Sequence, residues 1–269
     1  MKILVTGGTG QLAQEIKLLL PQASYPTRAE LDLSRPQSIN AYLKQNKFDL
    51  IINCAAYTKV DLAEKERHEC SDVNTVAPGI LGNECSRVIH FSTDYVFDGN
   101  NNRPYLETDL PNPVNFYGES KLLGEEALFR ANSESMIIRT SWLYSKNFGN
   151  NFFKTIKRLS QEREKLGVVF DQVGTPTNAS NLAKVVVSHL IDKSPSGLFH
   201  YSDEGVASWF DFALEINRLY PSKCSIDPIR SLDFQTIALR PSYTVLDKSK
   251  IKKCLSLDIK DWKTSLIVD

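Results

Sequence analysis

The chain opens with a short apolar strand that runs directly into a glycine-rich turn. Residues 3–7 read ILVTG, a run typical of a strand buried on both faces, and the turn leads into the amphipathic stretch QLAQEIKLLL at residues 11–20. Glycine allows a tight turn that leaves backbone amides exposed at a helix N-terminus, where a pyrophosphate can bind. The spacing Gly7-x-x-Gly10-x-x-Ala13 therefore predicts a dinucleotide site, with a purely structural turn as the alternative.

Buried-strand runs and helical stretches alternate through the first half of the chain. FDLIINCAA, RVIHFSTD and SMIIRTSW are such runs, and helical patterns separate them. Strands joined by helices pair in parallel through right-handed crossovers, so we predict an α/β fold: a Rossmann-like doubly wound parallel sheet with a smaller C-terminal substrate-binding domain. We assign residues 1–143 to the dinucleotide-binding Rossmann domain, expect residues 168–200 to return to it, and assign residues 144–269 mainly to the second domain.

Composition narrows the classes of function. Lys plus Arg and Asp plus Glu number 32 each, so the net charge is zero, which argues against a broad nucleic-acid surface. Without a signal-peptide pattern or an apolar run long enough to span a bilayer, we expect a cytoplasmic protein that does not enter a membrane. The five Cys and four His are scattered without ligand spacing, so we expect no metal site.

Tyr117 and Lys121 stand four residues apart at the start of the helical stretch NFYGESKLLGEEAL. Residues at this spacing share one face of a helix, about 5–6 Å apart at Cβ. A lysine ammonium beside a tyrosine would favour the phenolate and so lower a pKa that is ordinarily about 10. Because about one such pair is expected by chance in this composition, an ordinary helix pair is the alternative.

Six ordered blocks resemble those of a known family. VTGGTGQLAQEI, INCAAYTKVDLAE, HFSTDYVFDG, PVNFYGESKLLGEEAL, RTSWLYS and FDQVGTPT occur in the order found in extended short-chain dehydrogenase/reductases, and more narrowly resemble the dTDP-4-dehydrorhamnose reductase family. The resemblance covers residues 1–177, with a weaker echo at residues 239–251. It implies an oxidoreductase that transfers a hydride from NADPH or NADH to the ketone of a nucleotide sugar.

The resemblance implies catalytic roles for three residues. Tyr117 would be the general acid that protonates the developing alkoxide, and Thr93 would hydrogen-bond the same substrate oxygen. Lys121 would tune Tyr117 and hold the nicotinamide ribose. The open-sheet rule independently puts ligands at the carboxyl ends of strands, where Thr93 lies.

The predicted cofactor site combines the glycine turn with the ends of later strands. The residues that we expect to contact NAD(P)H, besides Tyr117 and Lys121, are Gly7, Thr9, Gly10, Gln11, Leu12, Arg28, Asp32, Leu33, Ala55, Ala56, Tyr57 and Phe91. The acid that usually binds the adenosine ribose, about 20 residues past the glycines, is missing from ASYPTRAELDLS. Arg28 is free to meet a 2′-phosphate, although a solvated loop charge is an equal alternative, and Asp32 would suit the adenine amino group.

The residues after Thr93 favour reduction of the sugar. Nucleotide-sugar dehydratases of the superfamily have Asp-Glu there, whereas this chain has Asp94 and Tyr95 and so lacks the elimination base. Trp142 resembles the residue that stacks on the hexose, and Asp94 and Tyr95 would also contact it. For the diphosphate we expect donors from the second domain, with Asn151, Lys154 and Arg240 as candidates and solvated surface residues as the alternative.

The leading expectation is a reductase that converts dTDP-4-keto-L-rhamnose to dTDP-L-rhamnose for surface polysaccharide. A reductase of another nucleotide-linked keto sugar and a non-catalytic regulatory subunit on the same fold are the alternatives. Glu15 resembles a carboxylate that bridges subunits through a metal in some relatives, but the matching later segment PTNASNLA has no acid. We therefore expect no bridging metal, and either a monomer or a homodimer.

Overall fold

The computed structural model describes residues 1–192 and 194–267. Its strands are β1 (Ile3–Thr6), β2 (Leu50–Asn53), β3 (Val88–Thr93), β4 (Met136–Thr140), β5 (Leu143–Tyr144), β6 (Lys165–Val169), β7 (Val173–Gly174), β8 (Thr177–Asn178), β9 (Gly197–His200), β10 (Ala207–Ser208) and β11 (Ser225–Ile229). Its α-helices are α1 (Gln11–Leu19), α2 (Pro36–Gln45), α3 (Val60–Ala63), α4 (Arg67–Ser71), α5 (Ala77–Glu84), α6 (Phe116–Ala131), α7 (Phe152–Glu162), α8 (Ala179–Val185), α9 (Trp209–Leu219), α10 (Ser249–Leu255) and α11 (Trp262–Ile267). One π-helical turn, Asp72–Val76, precedes α5, and another, Val186–Leu190, follows α8.

A parallel five-stranded sheet in the order β1-β2-β3-β4-β9 forms the centre of the molecule. Its strands are buried on both faces, which explains their continuous apolar sequences. The chain first crosses from β1 to Ser24, which exchanges backbone hydrogen bonds with Ile3 and Val5 (2.8 and 2.9 Å), and then returns to β2 on the other side of β1. This reversal beside β1 makes the sheet doubly wound, and the α/β prediction is confirmed.

Two apolar cores cover the two faces of the sheet. One face packs against α1, α8 and the segment containing α10, through residues such as Ile16, Leu182 and Ile251. The other packs against α2, α5 and α6, through residues such as Ile39 and Leu128. Each fully buried aliphatic side chain of these cores contributes about 1.5–3 kcal/mol relative to exposure. The two layers therefore hold the carboxyl ends of the parallel strands in a fixed arrangement.

A smaller lobe is built around the parallel pair β6–β11 with α7, α9 and α11. We expected the chain to return to the Rossmann domain at residue 168. Instead Val168 and Val169 belong to β6, which pairs with β11, because its apolar side chains pack against α7 and α9. The return begins with α8, which covers α1, and is completed by β9, which pairs with β4.

Within residues 1–192 and 194–267, no helix is both long and apolar enough to cross a membrane. The same residues contain no group of three or more His, Cys, Asp or Glu side chains arranged to hold a metal ion.

Candidate active site

The glycine turn forms the floor of a cavity of about 570 Å³ at the carboxyl ends of β1–β4. Gly7 has φ +68°, and a Cβ on it would lie 2.8 Å from the backbone N and Cα of Ala55, so only glycine fits between the two strand ends. Gly10 then donates to the Gly7 carbonyl (2.7 Å) and begins α1. The bare backbone of this cradle fits a dinucleotide diphosphate at the N-terminus of α1.

The cavity wall includes most of the residues that the sequence suggested. It contains every predicted cofactor residue, namely Gly7, Thr9, Gly10, Gln11, Leu12, Arg28, Asp32, Leu33, Ala55, Ala56, Tyr57, Phe91, Tyr117 and Lys121. Thr93, Asp94 and Trp142 also line it, whereas Tyr95, Asn151 and Arg240 do not. Residues from six segments of the chain thus converge on one cavity.

Arg28 lies at one end of the cavity within a cluster of charges. Its Nη2 donates to Glu69 Oε1 (2.9 Å), and its Nε lies 3.4 Å from Asp32 Oδ1. Burial raises the pKa of Asp32, but hydrogen bonds from Ser34 and the charges of Arg28 and Arg35 outweigh it and hold that pKa below its ordinary value. Arg28 is thus a paired but exposed cation, while the Asp32 carboxylate is engaged by its neighbours.

Helix α6 carries Tyr117 and Lys121 and is held close to the sheet. Asn115 caps it by accepting from the Gly118 amide (2.8 Å). A Cβ on Gly118 would lie 2.1 Å from the Tyr95 carbonyl, and one on Gly124 would lie 1.9 Å from the Asn74 carbonyl. The two glycines therefore permit the approach that brings the first turns of α6 against the end of β3.

The half-buried Tyr117 and the buried Thr93 and Asp94 form a hydroxyl and carboxyl cluster. The Thr93 hydroxyl donates to Asp94 Oδ1 (3.1 Å) and accepts from the Tyr95 amide (3.2 Å). Burial raises the pKa of Asp94 to about 7, although hydrogen bonds from Thr244 and Thr93 oppose the rise. Burial likewise raises the pKa of Tyr117 above its ordinary value, with hydrogen bonding to Thr93 opposing the shift.

Lys121 is only 1% exposed, and its ammonium is engaged below the cavity. Its Nζ donates to the Phe91 carbonyl (2.6 Å) and lies 3.2 Å from His90 Nε2. Burial lowers the pKa of Lys121 to about 8, against the favourable charges of Glu125 and Cys70. The expectation that Lys121 depresses the pKa of Tyr117 is wrong, because burial dominates and that pKa is raised.

A family model described as the RmlD substrate binding domain matches residues 1–267. A dTDP-4-dehydrorhamnose reductase of Aggregatibacter actinomycetemcomitans is 35% identical over 285 residues, covering 98% of this chain and 97% of the relative. The chain belongs to the dTDP-4-dehydrorhamnose reductase family.

Two further comparisons concern cofactor and substrate. The crystal structure of dTDP-4-dehydrorhamnose reductase from Bacillus anthracis in complex with NADP is 34% identical, with a TM-score of 0.94 over 99% of this chain and 98% of that one. A dTDP-4-keto-6-deoxy-D-glucose reductase of Streptomyces niveus is 36% identical over 277 residues, covering 98% of this chain and 94% of the relative.

In this member of the dTDP-4-dehydrorhamnose reductase family, Trp142 is held in a strained conformation at the cavity. Its φ of +46° is unusual for a bulky residue, and such strain is concentrated at functional sites. The indole stacks on Trp209 of the smaller lobe, with ring centroids 3.6 Å apart and planes 6° apart. Gly174 makes room for it, since a Cβ there would lie 2.7 Å from the indole.

The structure gives Asn151 and Arg240 roles other than the predicted contact with a diphosphate. Asn151 caps α7 by accepting from the Lys154 amide (3.0 Å), and its amide nitrogen donates to Gln11 Oε1 (3.0 Å). Arg240 donates to Asp61, with Nη2 2.7 Å from Oδ2. Both side chains are thus committed to contacts between segments that are distant in sequence.

Tyr95 is likewise placed away from the predicted sugar contact. It packs edge-on against Tyr117 (centroids 5.9 Å apart), and a hydrogen bond joins its hydroxyl to Arg240. The 3₁₀ turn Asp94–Val96 that follows β3 places the Tyr95 side chain outside the cavity wall and against Tyr117.

Several cavity residues of this reductase-family chain were missed in the sequence. Glu69 and the pair Gly149–Asn150 belong to segments that carried no recognised ligand motif. A signal for the pair was present, because FGNN is a turn sequence, and Gly149 has φ +66° with a Cβ position 3.2 Å from Gln11 Cβ. His90, which contacts Lys121 without lining the cavity, was also missed, since a histidine within a buried strand is ordinarily a core residue.

Proposed function

We propose that this chain reduces the C4 ketone of dTDP-4-dehydro-6-deoxy-L-mannose with NAD(P)H, yielding dTDP-L-rhamnose. The observation that carries the proposal is the cluster of Thr93, Tyr117 and Lys121 at the cavity wall, beside a glycine cradle that fits a dinucleotide. Membership of the dTDP-4-dehydrorhamnose reductase family supports the substrate. The NADP complex of the Bacillus anthracis relative supports the cofactor.

Tyr117 is the proton donor in this proposal. Its raised pKa keeps the hydroxyl protonated at neutral pH, so the proton is held until a stronger base appears beside it. A ketone oxygen that gains negative charge is such a base, and the bound nicotinamide supplies the hydride that generates the charge. Thr93 donates to the same oxygen, and the Lys121 ammonium offsets the charge of the phenolate that remains.

The other cavity residues favour reduction of a hexose. Asp94 and Tyr95 follow Thr93 where dehydratases of the superfamily have Asp-Glu, so Tyr95 takes the place of the glutamate, and it packs against Tyr117. Trp142 offers an aromatic edge in the cavity, and Asp94 offers a buried carboxyl that can accept from a sugar hydroxyl. No role in binding the diphosphate is proposed for Asn151 or Arg240.

The test is turnover measured by NADPH absorbance. Oxidation of NADPH should require dTDP-4-keto-L-rhamnose, and the product should be the C4 epimer with the rhamnose configuration by NMR. The relative from Streptomyces niveus is named for a keto sugar of the gluco series, so dTDP-4-keto-6-deoxy-D-glucose is the second substrate to assay. Turnover of that sugar alone, or of a UDP-linked keto sugar, would move the chain to a neighbouring reductase.

Replacing Tyr117 tests the assigned acid. We expect Tyr117→Phe to lower kcat by about 10²–10⁴-fold, the usual contribution of general acid catalysis, while NADPH affinity stays within about twofold. Tyr42→Phe is the control, because Tyr42 stacks on Phe48 away from the cavity. An unchanged kcat in Tyr117→Phe would refute the acid, and a regulatory protein without catalysis would show no turnover in any variant.

We further propose that the enzyme works in the cytoplasm as a monomer or homodimer. The charge balance of the chain and the nucleotide-linked substrate support this proposal. Sedimentation of the purified protein with and without NADPH would decide the oligomeric state.

A further inference from the structure

A buried polar chain runs beneath Lys121 across three neighbouring strands. Lys121 Nζ lies 3.2 Å from His90 Nε2, and His90 Nδ1 lies 2.9 Å from Asn53 Nδ2. The Thr6 hydroxyl lies 2.6 Å from Asn53 Oδ1. The sheet register explains the alignment, since His90 pairs with Asn53 and Asn53 with Thr6. His90, Asn53 and Thr6 are each at most 1% exposed, so water does not replace these contacts.

The buried polar chain limits the directions in which the Lys121 ammonium can donate hydrogen bonds. An ammonium has three N–H groups. One is taken by the Phe91 carbonyl and a second points to His90, so only the third is left for the cavity. The other ionisable groups whose charges act on Lys121 are Glu125 and Cys70, and both favour its charged form. The imidazole is therefore the neighbour that fixes where the ammonium sits without adding charge.

The directions of the hydrogen bonds in the buried polar chain depend on the charge of Lys121. An ammonium donates to His90 only if Nε2 is bare, so the imidazole proton must be on Nδ1 and the Asn53 amide oxygen must face it. A neutral amine has a lone pair that can accept from Nε2–H, and in that arrangement the Asn53 amide nitrogen donates to Nδ1. A half-turn of the amide exchanges these arrangements while leaving the heavy atoms in place, and the Thr6 hydroxyl can donate or accept at the far end.

We propose that His90 is a positioning residue for Lys121, and that its imidazole tautomer follows the protonation state of Lys121 through the Asn53 amide. The kinetic part of this inference rests on the proposed reductase activity. The tautomer part concerns only residues of the folded chain. A simple core histidine would pack equally well but would not respond to Lys121.

Ring ¹⁵N NMR of histidine-labelled protein tests the tautomer directly and needs no substrate. From about pH 6.5 to 9.5 we expect the protonated nitrogen of His90 to change from Nδ1 to Nε2, with a midpoint near 8, because burial lowers the pKa of Lys121 to that value. In Lys121→Met the change should disappear. A single tautomer through the whole range, or the same change in Lys121→Met, would overturn the inference.

Kinetics test the positioning role. His90→Phe keeps a ring but removes the acceptor, so we expect kcat to fall by about tenfold or more and the basic limb of the pH profile to move down by about one unit. His90→Gln retains a group that can accept or donate, and its kcat should stay within about threefold of the parent.

The matched control is His200→Phe. His200 is also fully buried in the central sheet, but its Nδ1 lies against the Tyr105 carbonyl, whereas His90 lies against Lys121. Equal kcat and pH profiles in His90→Phe and His200→Phe would refute the positioning role. If the parent protein does not turn over the keto sugar, the proposed function fails while the NMR result still decides the tautomer. The NMR experiment also decides it if His90→Phe does not fold.

Discussion

The Asp94 carboxyl lies in an environment very different from water. It is 2% exposed, and burial raises its pKa to about 7. In the unfolded chain its pKa is ordinarily about 4, so between these two values the folded protein holds a proton that the unfolded chain has lost. Its contribution to stability is therefore full below about pH 4 and is lost as pH rises through 7.

We predict that Asp94→Asn removes this pH dependence. An amide cannot ionise, so the variant should gain stability relative to the parent between about pH 5 and pH 8. The upper bound of the gain is about 4 kcal/mol, at about 1.4 kcal/mol per pKa unit. Urea unfolding at a series of pH values measures it. Asp109→Asn is the control, since its carboxyl is paired with Arg103 and its pKa is lowered. Parallel curves for parent and Asp94→Asn would contradict the prediction.

The charges around Arg28 should set the cofactor preference. Glu69 holds the guanidinium at 2.9 Å and would compete with a 2′-phosphate for it. We expect Glu69→Gln to raise the affinity for NADPH by several-fold and to leave that for NADH nearly unchanged, because only NADPH carries the extra phosphate.

Arg28→Ala removes the cation that would bind the 2′-phosphate, so this variant should bind NADPH about tenfold more weakly. Fluorescence titration of both cofactors gives the ratio. Arg35→Ala is the matched control, because Arg35 also pairs with Asp32 but is outside the cavity wall. A proportional loss of NADH binding in Arg28→Ala would assign Arg28 to the fold.

At the scale of elements, the close seating of α6 depends on residues without side chains. We predict that Gly124→Ala lowers the free energy of unfolding by about 2 kcal/mol or more. The new Cβ would overlap the Asn74 carbonyl at 1.9 Å, and this overpacking exceeds the gain of up to about 1 kcal/mol in helix propensity. Activity should fall too, since α6 carries both Tyr117 and Lys121.

Gly79→Ala is the control for this prediction. Gly79 is also helical, but its Cβ position is 3.4 Å from the Ala127 Cβ, an ordinary contact. That variant should unfold at the same temperature as the parent or slightly higher, as measured by circular dichroism. A Gly124→Ala protein as stable as Gly79→Ala would show that the helix can shift without cost.

The sequence predicted best those strands, helices and turns that a single local pattern determines. The apolar runs at β1–β4 and the glycines between β1 and α1 were sufficient to predict the sheet and its dinucleotide cradle. The parallel bridge between Leu4 and Ser24 was not predicted, because the sequence around Ser24 offers no apolar run. The π-helical turn Asp72–Val76 was not predictable either, since it satisfies contacts of Asn74 with Tyr57 and Ser120 that come from other elements.

At the scale of the whole molecule, the segment 231–240 is fastened across the two lobes. Asp61 of α3 accepts from the amides of Ile237 and Ala238 (3.0 Å each) and from both terminal nitrogens of Arg240. Asn115, the cap of α6, donates to the Leu239 carbonyl (2.8 Å). Helix α6 and this segment are therefore joined by a hydrogen bond at the helix cap.

We predict that Asp61→Ala releases the segment. Four hydrogen bonds to one carboxylate are lost, so limited proteolysis should cut within residues 231–240 much faster than in the parent. The KM for the sugar should rise while that for NADPH stays the same, because the cofactor wall does not include these residues. Asp233→Ala removes an exposed carboxylate from the same segment and is the control. Equal cleavage rates for the parent, Asp61→Ala and Asp233→Ala would count against the fastening.

Tertiary pairing also explains which site residues the sequence could not place. Gly7 follows from its place directly after a strand, whereas the roles expected of Thr93, Tyr117 and Lys121 came from the family resemblance, with strand ends and helix spacing in support. Arg240 pairs with a carboxylate 179 positions away, and Asn151 with a glutamine 140 positions away. Polar side chains of this kind have several possible partners, and only the packed lobes select one.

The pairing of β4 with β9 has a consequence for the order in which the molecule forms. These neighbours in the central sheet are separated in sequence by the whole segment from β5 to the end of α8. The chain must close that long loop before the sheet is complete, and parallel pairings over such distances are slow because loop entropy is lost before contacts form. During synthesis, α6 therefore emerges well before the strand that completes the sheet, and one edge of β4 stays unpaired in the nascent protein until β9 is made.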